Sequence, residues 1–345
     1  MNTTASPGTA TAPVPPATVP APAGDGGTLR LGTRRSTLAM AQSGQIAEAV
    51  RGLTGRPVEL VEITTYGDTS REHLAQIGGT GVFVSALRDA LLRGEIDFAV
   101  HSLKDLPTAP AGGLTLAAVP RRADCRDALV ARDGLTFAEL VAGDRPARIG
   151  TGSPRRMAQL NGWARSLGRE IETVPIRGNI DTRLGYVRSG ELDAVVLAAA
   201  GLTRIGRLGE ATELLDPAHV LPAPGQGALA VECAADNAAL AARLAELDDP
   251  HTRLAVTAER SLLAALEAGC SAPVGALADL EADGQAVTEM RLRGVVGTVD
   301  GSTLVQLSTT GPVPASPGDA TALGRELATE MLAKGAAGLM GERAH

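Results

Sequence analysis

From Leu29 onward the chain alternates short β-branched runs with stretches of helical periodicity, the pattern of an α/β fold. Residues 29–32 predict a strand, and Ser36 stands where it caps a helix with the apolar face Leu38, Ala41, Ile46, Ala49 and Leu53. Residues 58–65 predict the next strand, followed by a polar, Gly-rich stretch through Gly81. A helix over 84–93, closed by Gly94, leads into a strand over 96–100. Further strands are predicted over 147–150, 171–176, 194–198 and 228–232, with helices between them.

Two internal echoes organise this pattern. Residues 31–42, beginning Leu31-Gly-Thr-Arg-Arg-Ser36, resemble 149–159, beginning Ile149-Gly-Thr-Gly-Ser-Pro-Arg-Arg156, once a gap is allowed. Gly94-Glu-Ile-Asp-Phe-Ala-Val100 is echoed in the same order by Gly190-Glu-Leu-Asp-Ala-Val-Val196. Two similar α/β halves are therefore expected, each running a strand through Gly-Thr into a helix start that carries Ser and Arg. Open α/β sheets bind ligands beyond the carboxyl ends of their strands, so two halves facing each other make a cleft.

After Pro250 the texture changes. Residues 252–267 are amphipathic and stop at Gly269, and strands over 274–281, 287–296 and 303–308 are separated by Asp283-Gly284 and Asp300-Gly301. A helix over 320–339 closes the chain. The expected division is a tail (1–27), a first domain (28–121 plus 222–246), an Arg-rich second domain (122–221) and a small α+β third domain (247–345).

Composition narrows the function. The 345 residues carry a net charge of -7 and only six aromatics, too few for base-stacking platforms, so no nucleic-acid partner is expected. No run approaches the roughly 18 apolar residues of a membrane span. Residues 1–27 lack the charged and apolar regions of a signal peptide and read as a disordered tail. Cys125, Cys233 and Cys270 form no C-x-x-C pair, which with the missing signal predicts a reducing, cytoplasmic setting. Of 32 basic residues only Lys104 and Lys334 are lysine.

Three segments carry candidate chemistry. Residues 99–108 place His101, Ser102, Lys104 and Asp105 in a loop at the sheet's carboxyl edge. The segment reads either as a solvated loop or as a site where Asp105 handles protons or stabilises a cation, with His101 structural. Thr151-Gly-Ser-Pro-Arg-Arg156 makes a capped helix start at which Ser153, Arg155 and Arg156 suit an anion. Residues 151–190 hold seven arginines against three acids, so their excess fits a ligand with several carboxylates or phosphates, Arg165, Arg169 and Arg188 being set aside as solvated. Cys270 follows a helix C-terminus, which raises a thiol's pKa and argues against a turnover nucleophile. A solute-binding module and a phosphate-dependent transferase are the competing readings; no Walker-type motif is present.

The ordered set Leu29–Ser36, 99–107, 150–156, Arg177-Gly-Asn-Ile-Asp-Thr-Arg183, Ala200-Gly-Leu-Thr-Arg204, Leu221-Pro-Ala-Pro-Gly-Gln-Gly227, Glu259-Arg260 and Gly269-Cys270 closely resembles the porphobilinogen deaminase (hydroxymethylbilane synthase) family, from Leu29 to the C-terminus. The resemblance implies two doubly wound domains of periplasmic-binding-protein-like type plus a small α+β domain. It implies a transferase of tetrapyrrole (porphyrin, heme) biosynthesis. Four porphobilinogen units are added head to tail with loss of ammonia, on one dipyrromethane cofactor per chain held by Cys270 through a thioether, and water releases the product. It assigns Asp105 as the catalytic carboxylate, also touching the cofactor, and Ser102, Lys104, Ser153, Arg155 and Arg156 as holding the cofactor's acetates and propionates. Arg34, Ser36, Arg177, Arg183 and Arg204 would bind the monomer and growing chain, and no metal is expected; the sequence itself shows no obvious dimerising stripe, so a monomer is expected. Gln76 and Thr80 replace lysines usual in the family, and Gly152 and Pro154 depart from its pattern.

Overall fold

The structure is a computed structural model and describes residues 26–64, 84–268, 272–283 and 286–340. The tail over 1–25, Gln76, Thr80, the helix stop at Gly269 and the thiol of Cys270 lie outside the described residues.

The chain begins with β1 (Leu29–Thr33), α1 (Thr37–Thr54), β2 (Val58–Glu62), α2 (Ser85–Leu92), β3 (Phe98–Ser102) and β4 (Leu114–Ala118). Its middle gives β5 (Asp127–Ala131), α3 (Phe137–Val141), β6 (Ala147–Gly150), α4 (Pro154–Ser166), β7 (Ile171–Val174), α5 (Ile180–Arg188), β8 (Ala194–Ala198), α6 (Ala199–Arg204) and β9 (Glu213–Leu214). Then come β10 (Leu229–Ala234), α7 (Ala238–Leu244), α8 (Pro250–Ala265), β11 (Val274–Asp283), β12 (Ala286–Gly297), β13 (Leu304–Pro312) and α9 (Pro317–Ala333).

Two five-stranded sheets share one plan. The first runs β2-β1-β3-β10-β4 and the second β7-β6-β8-β5-β9. In each, the first three strands are parallel and the fourth is antiparallel to the third. The echoes in the sequence have a physical basis in this symmetry. Asp97 accepts from the backbone N–H of Arg30 in β1 (2.7 Å), and Asp193 accepts from that of Arg148 in β6 (2.8 Å). A side chain on Gly32 would put its Cβ 2.2 Å from Ile96, and one on Gly150 would put it 2.6 Å from Leu192. Each half therefore needs its glycine where the strand passes beneath the Ile or Leu of the Gly-Glu-Ile/Leu-Asp turn.

The third sheet, β11-β12-β13, is antiparallel, and α8 and α9 bury Ala258, Leu262, Leu327 and Met331 against Met290 and Leu292. Its 298–303 turn touches α4: Asn161 donates to the Val299 carbonyl (2.9 Å) and Arg165 to that of Asp300 (3.2 Å). A Cβ on Gly301 would lie 2.2 Å from the Gly162 nitrogen, so backbone meets backbone there. Between those contacts, Trp163 stacks on Phe137 (centroids 4.0 Å) and on His219 (4.4 Å).

The predicted third strand shifts. It runs to Ser102 rather than ending at Val100, because β10 pairs Leu229 with Ser102 and Ala230 with His101. β4, β5 and β9, which the local pattern does not single out, complete the sheets. The last helix ends at Ala333; Gly335 (φ +90°) breaks it before a single 3-10 turn over Ala336–Leu339.

Candidate active site

β3 delivers the first site segment. Ser102 Oγ accepts from Gln42 of α1 (2.9 Å), and Leu103–Asp105 form one 3-10 turn with Leu103 fully buried and Asp105 exposed. Arg260 of α8 donates to the carbonyls of Leu103 (3.1 Å), Leu106 (3.0 Å) and Pro107 (2.7 Å). His101 belongs to the strand, not the loop. Its Nε2 lies 3.2 Å from Glu232, which also takes two bonds from Arg88. Burial pushes the Glu232 carboxyl up, but His101 and Arg88 outweigh it and hold the group at about 2. His101 is thus buried against Glu232 rather than presented at the loop.

Beneath the second helix start sits Asp127, wholly buried. Arg155 donates to its Oδ2 (2.8 Å) and to the Leu221 carbonyl (2.5 Å). Arg156 donates twice to Oδ1 (3.1 and 2.7 Å) and once to the Val196 carbonyl (2.9 Å). Burial alone would raise the Asp127 carboxyl; the two guanidinia drive it well below the carboxylate range. Ser153 caps α4 by accepting from the Arg156 N–H, so cap and guanidinia are placed by the same turn. The two halves meet at Lys104. It donates to Gln226 (3.2 Å), and burial depresses its ammonium to about 8, with Asp105 and Asp127 opposing and Arg156 and Arg155 adding to the shift.

Of the remaining expected site residues, Arg183 feels the charge of Arg156 in this cluster. Arg183, lowered by burial and by Arg156, donates to the Gly178 carbonyl (2.9 Å). Arg204, pushed down to about 10 by burial, donates to the Gly227 carbonyl (2.7 Å). Ser36 caps α1, and Leu38 in its first turn approaches Gly201 of α6, with Ile180 of α5 on the same glycine. Arg34 and Arg177 are half-buried at the ends of the segments that follow β1 and β7. Arg165, Arg169 and Arg188 are exposed, Arg188 pairing with Glu210. Burial pushes the Cys125 and Cys233 thiols up to about 11, so both stay protonated at neutral pH.

Sequence reasoning missed Asp127 and carried Gln226 and Glu259 only as members of motifs, with no role. Glu259, with no exposed surface, takes both Arg122 nitrogens (2.6 and 3.0 Å) and the backbone N–H groups of Gly225 (2.7 Å) and Ala278 (3.0 Å). It thereby ties both crossovers between the first two sheets to the third. Among the described residues no cluster of His, Cys, Asp and Glu could hold a metal ion. The available chemistry is a basic cradle beside one exposed carboxylate. Hydroxyls of Ser102 and Ser153 and the Lys104 amine suit a bound group that carries several carboxylates, while Arg155 and Arg156, buried and bonded to Asp127, add net positive charge beneath it.

Known proteins agree with that chemistry. The family described as "Porphobilinogen deaminase, dipyromethane cofactor binding domain" matches residues 29–242, and "Porphobilinogen deaminase, C-terminal domain" matches residues 253–333. Porphobilinogen deaminase 1 of Streptomyces avermitilis is 81% identical over 319 residues, covering 92% of this chain and 98% of that protein. Porphobilinogen deaminase of Thermobifida fusca is 58% identical over 311 residues, covering 89% and 94%. Among solved structures, the probable amino-acid ABC transporter extracellular-binding protein ytmK of Bacillus subtilis aligns with 64% of this chain and 90% of its own, at TM-score 0.39 and 11% identity. The chain belongs to the porphobilinogen deaminase family.

Proposed function

We propose that this transferase condenses four porphobilinogen molecules head to tail and releases linear hydroxymethylbilane to water, with Asp105 as its catalytic carboxylate. Each addition forms one carbon–carbon bond, breaks the aminomethyl C–N bond of the incoming monomer and releases ammonia. The observation that carries this reading is the cluster of Lys104, Arg155 and Arg156 beside exposed Asp105. A dipyrromethane held through Cys270 supplies the pyrrole carbon at which addition starts. Lys104, Arg155 and Arg156, with the hydroxyls of Ser102 and Ser153, hold its acetates and propionates. Arg34, Ser36, Arg177, Arg183 and Arg204 line the approach of the monomer and the growing chain, each pyrrole bringing two more carboxylates. Asp105, exposed at the tip of its turn, accepts from pyrrole N–H groups and stabilises the cation left when ammonia departs.

The same reading divides the chain into a first domain over 28–121 plus 222–246, a second over 122–221 and a third over 247–345. The enzyme works as a cytoplasmic monomer on a small-molecule substrate, away from membranes and nucleic acids. Among the described residues no helix is long and apolar enough to cross a membrane.

Intact-mass measurement of the denatured protein tests the assignment. A covalent dipyrromethane adduct is expected on the native chain and none on Cys270→Ala; an unmodified mass from active preparations overturns the reading. Asp105→Ala is expected to fold and keep the adduct while releasing ammonia about 10²–10⁴-fold more slowly. Near-normal turnover would remove Asp105 from the chemistry.

A further inference from the structure

Gln226 has no exposed surface, yet every polar atom of its side chain is engaged. It sits between Gly225 (φ +76°) and Gly227 (φ +88°), in a turn so close to the first crossover that a Cβ on Gly227 would lie 2.6 Å from the Ala123 carbonyl. Its own backbone is fixed at both ends: the N–H donates to Ala223 (2.8 Å), and the carbonyl accepts from Arg122 Nε (2.7 Å). The side-chain amide donates to the Cys125 carbonyl and to Asp127 Oδ1, both at 2.8 Å. Those two bonds use both N–H donors, which leaves Oε1 as the acceptor facing Lys104 Nζ at 3.2 Å. A flipped amide would set N–H against ammonium and carbonyl against carboxylate, so the network admits one orientation.

We propose that Gln226 is a positioning residue for Lys104: its locked amide holds the lysine ammonium between the two halves, over the Asp127–Arg155–Arg156 cluster, where the carboxylates of the bound pyrroles are received. The proposal rests on the reading of Lys104 as part of the cofactor site. Among the charges that act on Lys104 are Asp105 and Asp127 on one side and Arg155 and Arg156 on the other. Repulsion from two guanidinia would push an unanchored ammonium away from Asp127. The amide oxygen opposes that push, and because the same amide also bonds Asp127, it fixes the spacing between the lysine of the first half and the arginines of the second.

The chain has two lysines, so labelling lysine with carbon-13 gives two Cε signals whose pH titrations are read separately, and Lys334→Arg assigns Lys104. In Gln226→Met, which removes the acceptor, the Lys104 midpoint is expected about one pH unit lower. Cofactor occupancy by intact mass should fall in the same variant. An unchanged Lys104 midpoint in a folded Gln226→Met protein overturns the proposal. If that variant does not fold, Gln226→Asn decides: it keeps the amide but shortens its reach by one methylene, so the Lys104 midpoint should fall, and an unchanged midpoint overturns the proposal. A native chain without the covalent adduct would instead defeat the underlying functional reading and leave the titration result standing.

Discussion

Asp127 accepts four hydrogen bonds without exposing any surface: one from Arg155, two from Arg156 and one from Gln226. A buried carboxylate with no partner would be neutral; here two guanidinia keep it ionised. Its carboxyl is depressed in the folded state, so its contribution is complete above the ordinary carboxylate range and is lost only as pH falls through that range and below. One negative charge set against two positive ones also leaves the pair with a surplus of one. Asp127→Asn is expected to destabilise the protein by about 3–5 kcal/mol, because two guanidinia would remain buried with their compensating carboxylate gone. Urea unfolding at pH 7 checks this, and a loss under 1 kcal/mol would mean that water or movement of the arginines replaces the carboxylate. Nothing local marks Asp127. It follows Asp124-Cys-Arg126, which reads as a charged loop, and its partners are 28 and 29 residues away. Arg155 and Arg156, by contrast, were legible because cap, proline and guanidinia stand together at one helix start.

Elements whose logic is local were read well. Gly94 and Gly190 each end a helical segment in the left-handed region (φ +68° and +75°), and the Asp three residues later locks the neighbouring strand in both halves. Elements completed from far away were not: β3 gains His101 and Ser102 only because β10 arrives beside it. The 3-10 turn that follows is stabilised from a third element, since Arg260 of α8 bonds the Leu103 carbonyl within it and those of Leu106 and Pro107 just beyond. A turn of one repeat is marginal alone, so its geometry depends on that clasp. Arg260→Gln is expected to speed amide hydrogen exchange across 103–107 and lower turnover about tenfold. Mass spectrometry of exchanged peptides reads the first effect; unchanged protection there would show that Leu103, buried beneath the turn, suffices to hold it.

At the scale of the whole molecule, the third sheet grips both halves. Arg260 holds the site turn of the first half, and the 298–303 turn sits on α4 of the second. Glu259 joins the grips at the centre, where Arg122 and Gly225 mark the two crossovers. None of this was legible in advance beyond the Glu259-Arg260 pair as a motif, because the carboxylate's partners come from residues 34 and 137 positions away. Glu259→Gln is expected to cost about 3–5 kcal/mol and to split one calorimetric transition into two, as the α8–α9 unit loses its link to the rest. A single transition shifted as a whole would show that the 298–303 contact alone keeps the unfolding cooperative. That contact has an optical consequence. Trp163, the only tryptophan, lies on α4 between Asn161 and Arg165, on the helix that starts at Arg155 and Arg156. Its indole is stacked between the rings of Phe137 and His219. Tryptophan emission from this protein is therefore the signal of one helix, and a disturbance at either end of α4 is written into the same spectrum.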